Sequence, residues 1–212
     1  MSAIVLDLPA EGVLKPNDKH DPLPYYYKPG VGWLYRHRLT MALDFLRPGG
    51  RVLEIGVGSG VLVPTLTRHF DAYVGTDLVL AKGLEHLVRP GCEASFQVAD
   101  ICDPHSLPEA SFDAVVCISV LEHIADADGA ARTLARALAP GGRLVAGYPM
   151  VNRAMTHAFQ AIGFSGIDDH HVSPPARIEA SLRRVLRPVG RTAFPPLSPV
   201  RLALYQVSAW TK

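Results

Sequence analysis

Apolar positions along this chain switch repeatedly between two spacings. Trp33, Leu34, Leu39, Met41, Ala42, Phe45 and Leu46 recur at helical spacing, and Pro48-Gly49-Gly50 ends that helix. Arg51–Ile55 then reads as a strand, followed by a helix from about Gly60 to Phe70 with Pro64 in its first turn. Ala72–Gly75 is a second strand, Leu80–Val88 a second helix and Ala94–Val98 a short third strand. Phe112–Ile118 is a continuous apolar run, the kind that a parallel sheet buries on both faces. The Ala-rich stretch from Asp128 to Ala139 predicts a helix capped by Asp128, stopped by Pro140-Gly141-Gly142, with a strand over Arg143–Tyr148. This βαβ rhythm predicts a parallel sheet covered on both faces, an α/β fold. After Pro149 the rhythm breaks. Val151–Phe164 predicts an extra helix, Ser165–Ser173 a polar loop, Pro174–Leu186 a helix with Pro175 in its first turn, and Leu202–Trp210 a last strand. Before the first helix, residues 1–30 carry five prolines and read as an irregular arm.

The strand at Arg51–Ile55 runs into Gly56-Val57-Gly58-Ser59-Gly60. Glycines allow a sharp turn and close approach of a ligand, and the helix that follows offers its free N–H groups. The spacing is GxGxG, not the dinucleotide GxGxxG. Glu54, just before the glycines, repels a pyrophosphate and suits the ammonium of an amino-acid moiety. Asp77 stands about 20 residues beyond the glycines, where an acid typically holds ribose hydroxyls. Asp100 ends the next strand, placed to accept from an adenine amino group, with Ile101 packing on the ring. Each acid alone could be a helix cap. Both in step with the glycine loop point to a nucleoside joined to an amino acid.

Leu53–Gly60, Gly75-Thr76-Asp77-Leu78, Ala99-Asp100-Ile101, Phe112–Ile124 and Leu138–Tyr148 resemble, in order, the motifs of class I methyltransferases that use S-adenosylmethionine (SAM). Ser119-Val120-Leu121-Glu122-His123-Ile124, followed by Leu138-Ala139-Pro140-Gly141-Gly142-Arg143-Leu144, is similar to the small-molecule branch often termed type 11, which includes quinone-biosynthesis enzymes. The resemblance implies a Rossmann-like, doubly wound sheet of seven strands, mostly parallel with an antiparallel last strand. It implies SAM as cofactor, with contacts from Glu54, Gly56, Gly58, Gly60, Asp77, Leu78, Asp100, Ile101 and Ser119. It implies one domain over residues 1–212, made of an arm and helix (1–50), a SAM-binding core (51–149) and an acceptor-side lid with the last strands (150–212). Asp169-His170-His171-Val172-Ser173-Pro174 resembles a loop that closes over the cleft, although relatives commonly carry an aromatic where Val172 stands.

Methyl transfer needs positioning and exclusion of water, and needs a base only when the acceptor must lose a proton. Histidine has the pKa for that work. His171 and His170, then His123, are the candidates, each weighed against a packing or surface role. Tyr27, Tyr148 and His157 are candidates for acceptor contact. Tyr25, Tyr26 and Tyr27 either cover a ligand or pack the arm. Asp168-Asp169-His170-His171 has no distant third ligand in the pattern, so no metal site is expected.

The 212 residues are 48% hydrophobic, enough for a sizeable core. A mean hydropathy of +0.14 fits an apolar pocket, a dimer face or peripheral membrane contact. Arg183, Arg184, Arg187 and Arg191 read as a solvated helix face. The net charge of +1 provides no footprint for nucleic acid, and Ile118-Ser119-Val120-Leu121 lacks the Asn/Asp-Pro-Pro-aromatic loop of amino-methylating nucleic-acid enzymes. Cys92, Cys102 and Cys117 have no metal-ligand spacing and read as reduced thiols of a cytoplasmic protein. Met1–Ala10 does not read as a signal peptide, and no apolar run approaches the roughly 18 residues that span a bilayer. The function expected is SAM-dependent methylation of a small, apolar metabolite. A non-catalytic protein that keeps the fold and a nicotinamide-dependent oxidoreductase are the competing readings.

Overall fold

The computed structural model describes residues 4–17, 21–150, 172–196 and 203–212. Strands β1 (Arg51–Ile55), β2 (Ala72–Asp77), β3 (Glu93–Val98), β4 (Phe112–Ile118), β5 (Leu138–Pro149), β6 (Arg187–Phe194) and β7 (Tyr205–Thr211) form one sheet in the order β3-β2-β1-β4-β5-β7-β6. β1 to β5 pair in parallel. β7 inserts between β5 and β6, antiparallel to both. The strand order reverses between β1 and β4, and this opens a crevice at the carboxyl ends of the strands.

Five α-helices are present among the described residues: α1 (Leu23–Tyr27), α2 (Val31–Leu43), α3 (Val63–His69), α4 (Ala127–Ala137) and α5 (Pro175–Val185). The strands alternate their side chains between two cores. On one face Val52, Val116, Val145 and Val207 pack with Leu39 and Met41 of α2 and Leu66 of α3. On the other, Leu53, Val115, Leu144 and Trp210 pack with Leu134 of α4 and Ile178 and Leu182 of α5. The seven-stranded, mostly parallel sheet with helices on both faces is the expected architecture.

Four local expectations change. Over Leu80–Val88 only a single 3₁₀ turn forms, Leu84–Leu87, because Gly83 adopts φ +83° immediately before it. The strand expected at Arg143 begins at Leu138, directly after α4; a register shift between Phe112 and Ala114 absorbs Pro140-Gly141-Gly142. Asp126, not Asp128, caps α4, accepting from the Gly129 N–H, while Asp128 pairs with Arg184 at 2.6 Å. β6 and α1 were not expected from the pattern: Pro188 and Gly190 mask an edge strand that carries a bulge between them. Arg183 and Arg184 lie on the exposed face of α5, as expected, paired with Glu179 and Asp128, but Arg187 and Arg191 are not on that helix face: they are exposed on β6, because α5 ends at Val185. The helix expected over Val151–Phe164 lies outside the described residues, as does all but the end of the polar loop.

Candidate functional site

At the carboxyl ends of β1 to β4 the chain encloses a cavity of about 420 Å³. Its floor is the glycine loop. Gly56, Gly58 and Gly60 all take positive φ, +74°, +51° and +86°. A Cβ added at Gly58 would meet no protein atom within 4 Å; it would stand in the cavity itself. A Cβ at Gly56 would collide with Val120 Cγ2, so the loop after β4 closes directly onto the glycines.

Glu54 sits on the wall, buried, with Oε2 accepting from the Tyr73 hydroxyl at 2.6 Å. Burial pushes its carboxyl up to about 8; the Tyr73 hydrogen bond opposes the rise and the nearby Asp77 charge adds to it. Asp77 stitches the site together. Its Oδ2 accepts from the Gly58 N–H and its Oδ1 from the Leu78 N–H, at 2.8 and 2.7 Å. Leu78 lines the mouth and is 62% exposed. Asp100 closes its own turn by accepting from the Cys102 N–H, and Ile101 lies buried beside it. Glu54, Gly56, Gly58, Asp77, Leu78, Asp100 and Ile101 line the cavity; Gly60, also expected to contact the cofactor, does not, and packs instead against Leu84 and Leu87.

Ser119 stands at the opposite end. It adopts φ +57°, a strained conformation for a residue with a side chain, held because its N–H donates to the Gly147 carbonyl and its hydroxyl shares a 3.0 Å hydrogen bond with Tyr205. His123, exposed, follows in the 3₁₀ turn Leu121–His123 and also lines the cavity. The sequence alone did not single out Arg38. From α2 its guanidinium donates to the Tyr26 hydroxyl at 2.7 Å and reaches Ser119 Oγ at 3.4 Å. It lies over the rings of Tyr35 and Tyr26, at 4.5 and 5.4 Å. Its Nε is shielded from solvent and has no partner. Among the described residues, no carboxylate pairs with it in a salt bridge. A shielded cation with a spare donor beside a cavity calls for an anion.

Two acceptor candidates are not brought to this cavity. Tyr27 donates its hydroxyl to the Pro9 carbonyl, and its neighbour Tyr26 lines the cavity instead. Tyr148 is completely buried on the α5 side of the sheet, where its hydroxyl meets Gln206, Ser208 and Glu179. His157, His170 and His171 lie outside the described residues. No group of His, Cys, Asp or Glu suited to a metal occurs among the described residues. Asn17, Asp21 and Pro22 of the N-terminal arm complete the rim. Arg38 left one trace in the sequence: it falls one turn after Tyr35 and beside Leu39, a charge on the apolar stripe of a helix.

The cavity therefore offers a carboxylate beside the glycine loop, two carboxylates along the β2 and β3 ends, and a cation at the β4 end beside Tyr26 and Ser119. That donor set suits a zwitterionic amino-acid group joined to a nucleoside. The comparisons agree. A family described as a methyltransferase domain matches residues 33–190. The chain is similar to a ubiquinone biosynthesis O-methyltransferase of Xanthomonas axonopodis pv. citri, 34% identical over 111 residues, which cover 50% of this chain and 46% of the relative. It is similar to phosphoethanolamine N-methyltransferase 1 of Arabidopsis thaliana, 34% identical over 104 residues, 47% of this chain and 21% of that one. The match thus spans less than half the length of these curated relatives. In fold it is similar to the N-methyltransferase NodS of Bradyrhizobium japonicum, solved with S-adenosyl-L-homocysteine (SAH), with TM-score 0.63 and 19% identity over 93% of this chain and 94% of NodS.

Proposed function

The chain belongs to the methyltransferase-domain family, within the class I SAM-dependent methyltransferases, and from that premise we propose that it methylates a small-molecule acceptor in the cavity at the carboxyl ends of β1 to β4. The observation that carries the reading is the convergence of Glu54, Arg38, Asp77 and Asp100 on one glycine-floored cavity. SAM fits these residues, and when bound it supplies a methyl group made electrophilic by its sulfonium. Glu54 takes the ammonium of the methionine moiety, and the spare Nε of Arg38 takes its carboxylate. Asp77 holds the ribose hydroxyls. Asp100 accepts from the adenine amino group, with Ile101 and Leu78 packing on the ring. Gly58 leaves the space that a side chain would fill.

The acceptor enters on the β4 side, between Tyr26 and Ser119-Val120, next to the group that Arg38 takes. The chain's work there is to hold a nucleophile in line and exclude water. His123 is the base when the acceptor arrives protonated. Cytoplasmic location belongs to the same reading and is supported by Cys92, Cys102 and Cys117, which are free thiols. The small net charge of +1 favours a small acceptor over nucleic acid. Incubation with SAM and a panel of hydroxylated aromatics, carboxylic acids and amines, with SAH release measured, tests the proposal. Acceptor-dependent release that falls about 10²–10⁴-fold in His123→Ala supports it. Binding of SAH without release on any acceptor favours the non-catalytic reading.

A further inference from the structure

We propose that Asp7, remote from the cavity, is a positioning residue for the cofactor; the proposal rests on the reading of the cavity as a SAM site. Asp7 is gripped twice. Its main-chain N–H donates to Thr65 Oγ1 at 2.9 Å. Its Oδ2 accepts from Arg68 Nη2 at 2.7 Å and from Nη2 and Nε of Arg89 at 2.6 and 3.0 Å. Arg68 belongs to the last turn of α3. Arg89 follows the 3₁₀ turn Leu84–Leu87, and its main-chain N–H donates to Thr67 Oγ1, also on α3. One carboxylate oxygen thus joins the N-terminal arm, α3 and the β2–β3 crossover, and neutralises two guanidinium groups that would otherwise repel one another.

Two of the three structures tied by this clamp, the crossover through Leu78 and the arm through Asn17, reach the cavity. The crossover packs on the glycine loop: a Cβ at Gly60 would lie 2.6 Å from Leu87 Cδ1 and 2.7 Å from Leu84 Cδ2. The arm runs on from Asp7 through Pro9, whose carbonyl accepts from Tyr27, and through the buried Leu14. It reaches Asn17, whose Nδ2 donates to the Val79 carbonyl at 3.0 Å and which lines the cavity. Asn17 therefore lies across the loop that follows Asp77, at the ribose end. The acceptor end takes Ser119 and Val120 from the loop after β4 and Tyr26 from α1; the clamp bonds to neither, and the arm meets α1 through the Tyr27 hydroxyl on the Pro9 carbonyl. Loss of the Asp7 carboxylate should loosen cofactor binding and spare the rate of the loaded enzyme.

The test uses the full chain with Asp7→Ala and Asp7→Glu, titrated with SAH by calorimetry, with SAM kinetics and thermal melts alongside. In Asp7→Ala the Kd for SAH and the KM for SAM should rise together by about tenfold, with kcat at saturation within about twofold. Asp7→Glu should restore most of the affinity. Arg89→Gln, which keeps the Arg68 contact, should weaken SAH binding in the same direction by a smaller factor, and serves if Asp7→Ala does not fold. Unchanged SAH affinity in folded Asp7→Ala or Arg89→Gln, whatever the melting temperature, overturns the proposal. Failure of the unsubstituted chain to bind SAH overturns the SAM reading, and this proposal with it, and is visible separately in the control titration.

Discussion

Arg38 and Glu54 set the polarity of the site, and each makes a prediction that a merely packed residue would not. Arg38→Met removes the spare Nε donor and the charge while keeping much of the side-chain volume. SAH affinity should fall about 10–100-fold, the range for a charge-assisted hydrogen bond. Binding of 5′-methylthioadenosine, which lacks the amino-acid group, should change by less than about threefold. Equal losses for both ligands in calorimetry would show that Arg38 shapes the pocket without reading a carboxylate. Glu54 predicts a pH dependence. Its carboxyl is raised from the ordinary value of 4.5 to about 8, so between those values the folded chain holds a proton that the unfolded chain has released. The contribution is therefore present in full below pH 4.5 and is lost as pH rises toward 8. Urea midpoints should fall across that range, and less steeply in Glu54→Gln; Glu122, buried and also raised to about 8, carries the remainder. An ammonium beside Glu54 reverses the preference, so SAH binding at pH 7 should release protons, measured from titration heats in buffers of different ionisation enthalpy. The acids of this site were legible in the sequence because Glu54, Asp77 and Asp100 stand at the ends of successive strands, a fixed distance along the chain. Arg38 and Tyr205 were not, because they arrive from a helix before the core and a strand after it, through packing that no local pattern records; Tyr26 was legible only as one of three tyrosines that cover a ligand or pack the arm.

At the scale of elements, legibility followed burial. β1 and β4, whose residues are almost wholly buried, and α5, with its apolar stripe of Ile178 and Leu182, could be read from spacing alone. β6 could not, since an edge strand with Arg187, Pro188 and Arg191 exposed carries little apolar pattern. The turn Leu84–Leu87 stays short because Gly83 interrupts it, and its two leucines pack onto Gly60. The junction of β1 with the loop after β4 leaves no room for a side chain at Gly56. Gly56→Ala places a methyl against Val120 and forces a side chain onto φ +74°. It should destabilise the chain by about 1–3 kcal/mol, read from urea unfolding. Adding Val120→Ala should recover the part due to the clash and leave the part due to backbone strain. Full additivity of the two substitutions would mean that the contact carries no energy.

The cavity lies where the strand order reverses, between β1 and β4, and is lined as well by residues from outside the sheet. The arm and α1 bring Asn17, Asp21 and Tyr26 to one rim, and α2 brings Arg38. β7, entering between β5 and β6, brings Tyr205 against Ser119. A cofactor held by groups from so many parts of the chain should couple to global stability, raising it by RT ln(1 + [L]/Kd). The central claim is that this cavity binds SAM and its demethylated product, and calorimetric titration of the full chain with SAH tests it most directly. One SAH should bind per chain, and Asp77→Ala should weaken it at least about tenfold, because two charge-assisted hydrogen bonds to the ribose are lost. Absence of SAH binding, affinity unchanged by Asp77→Ala, or tight binding of NAD in its place would contradict the claim.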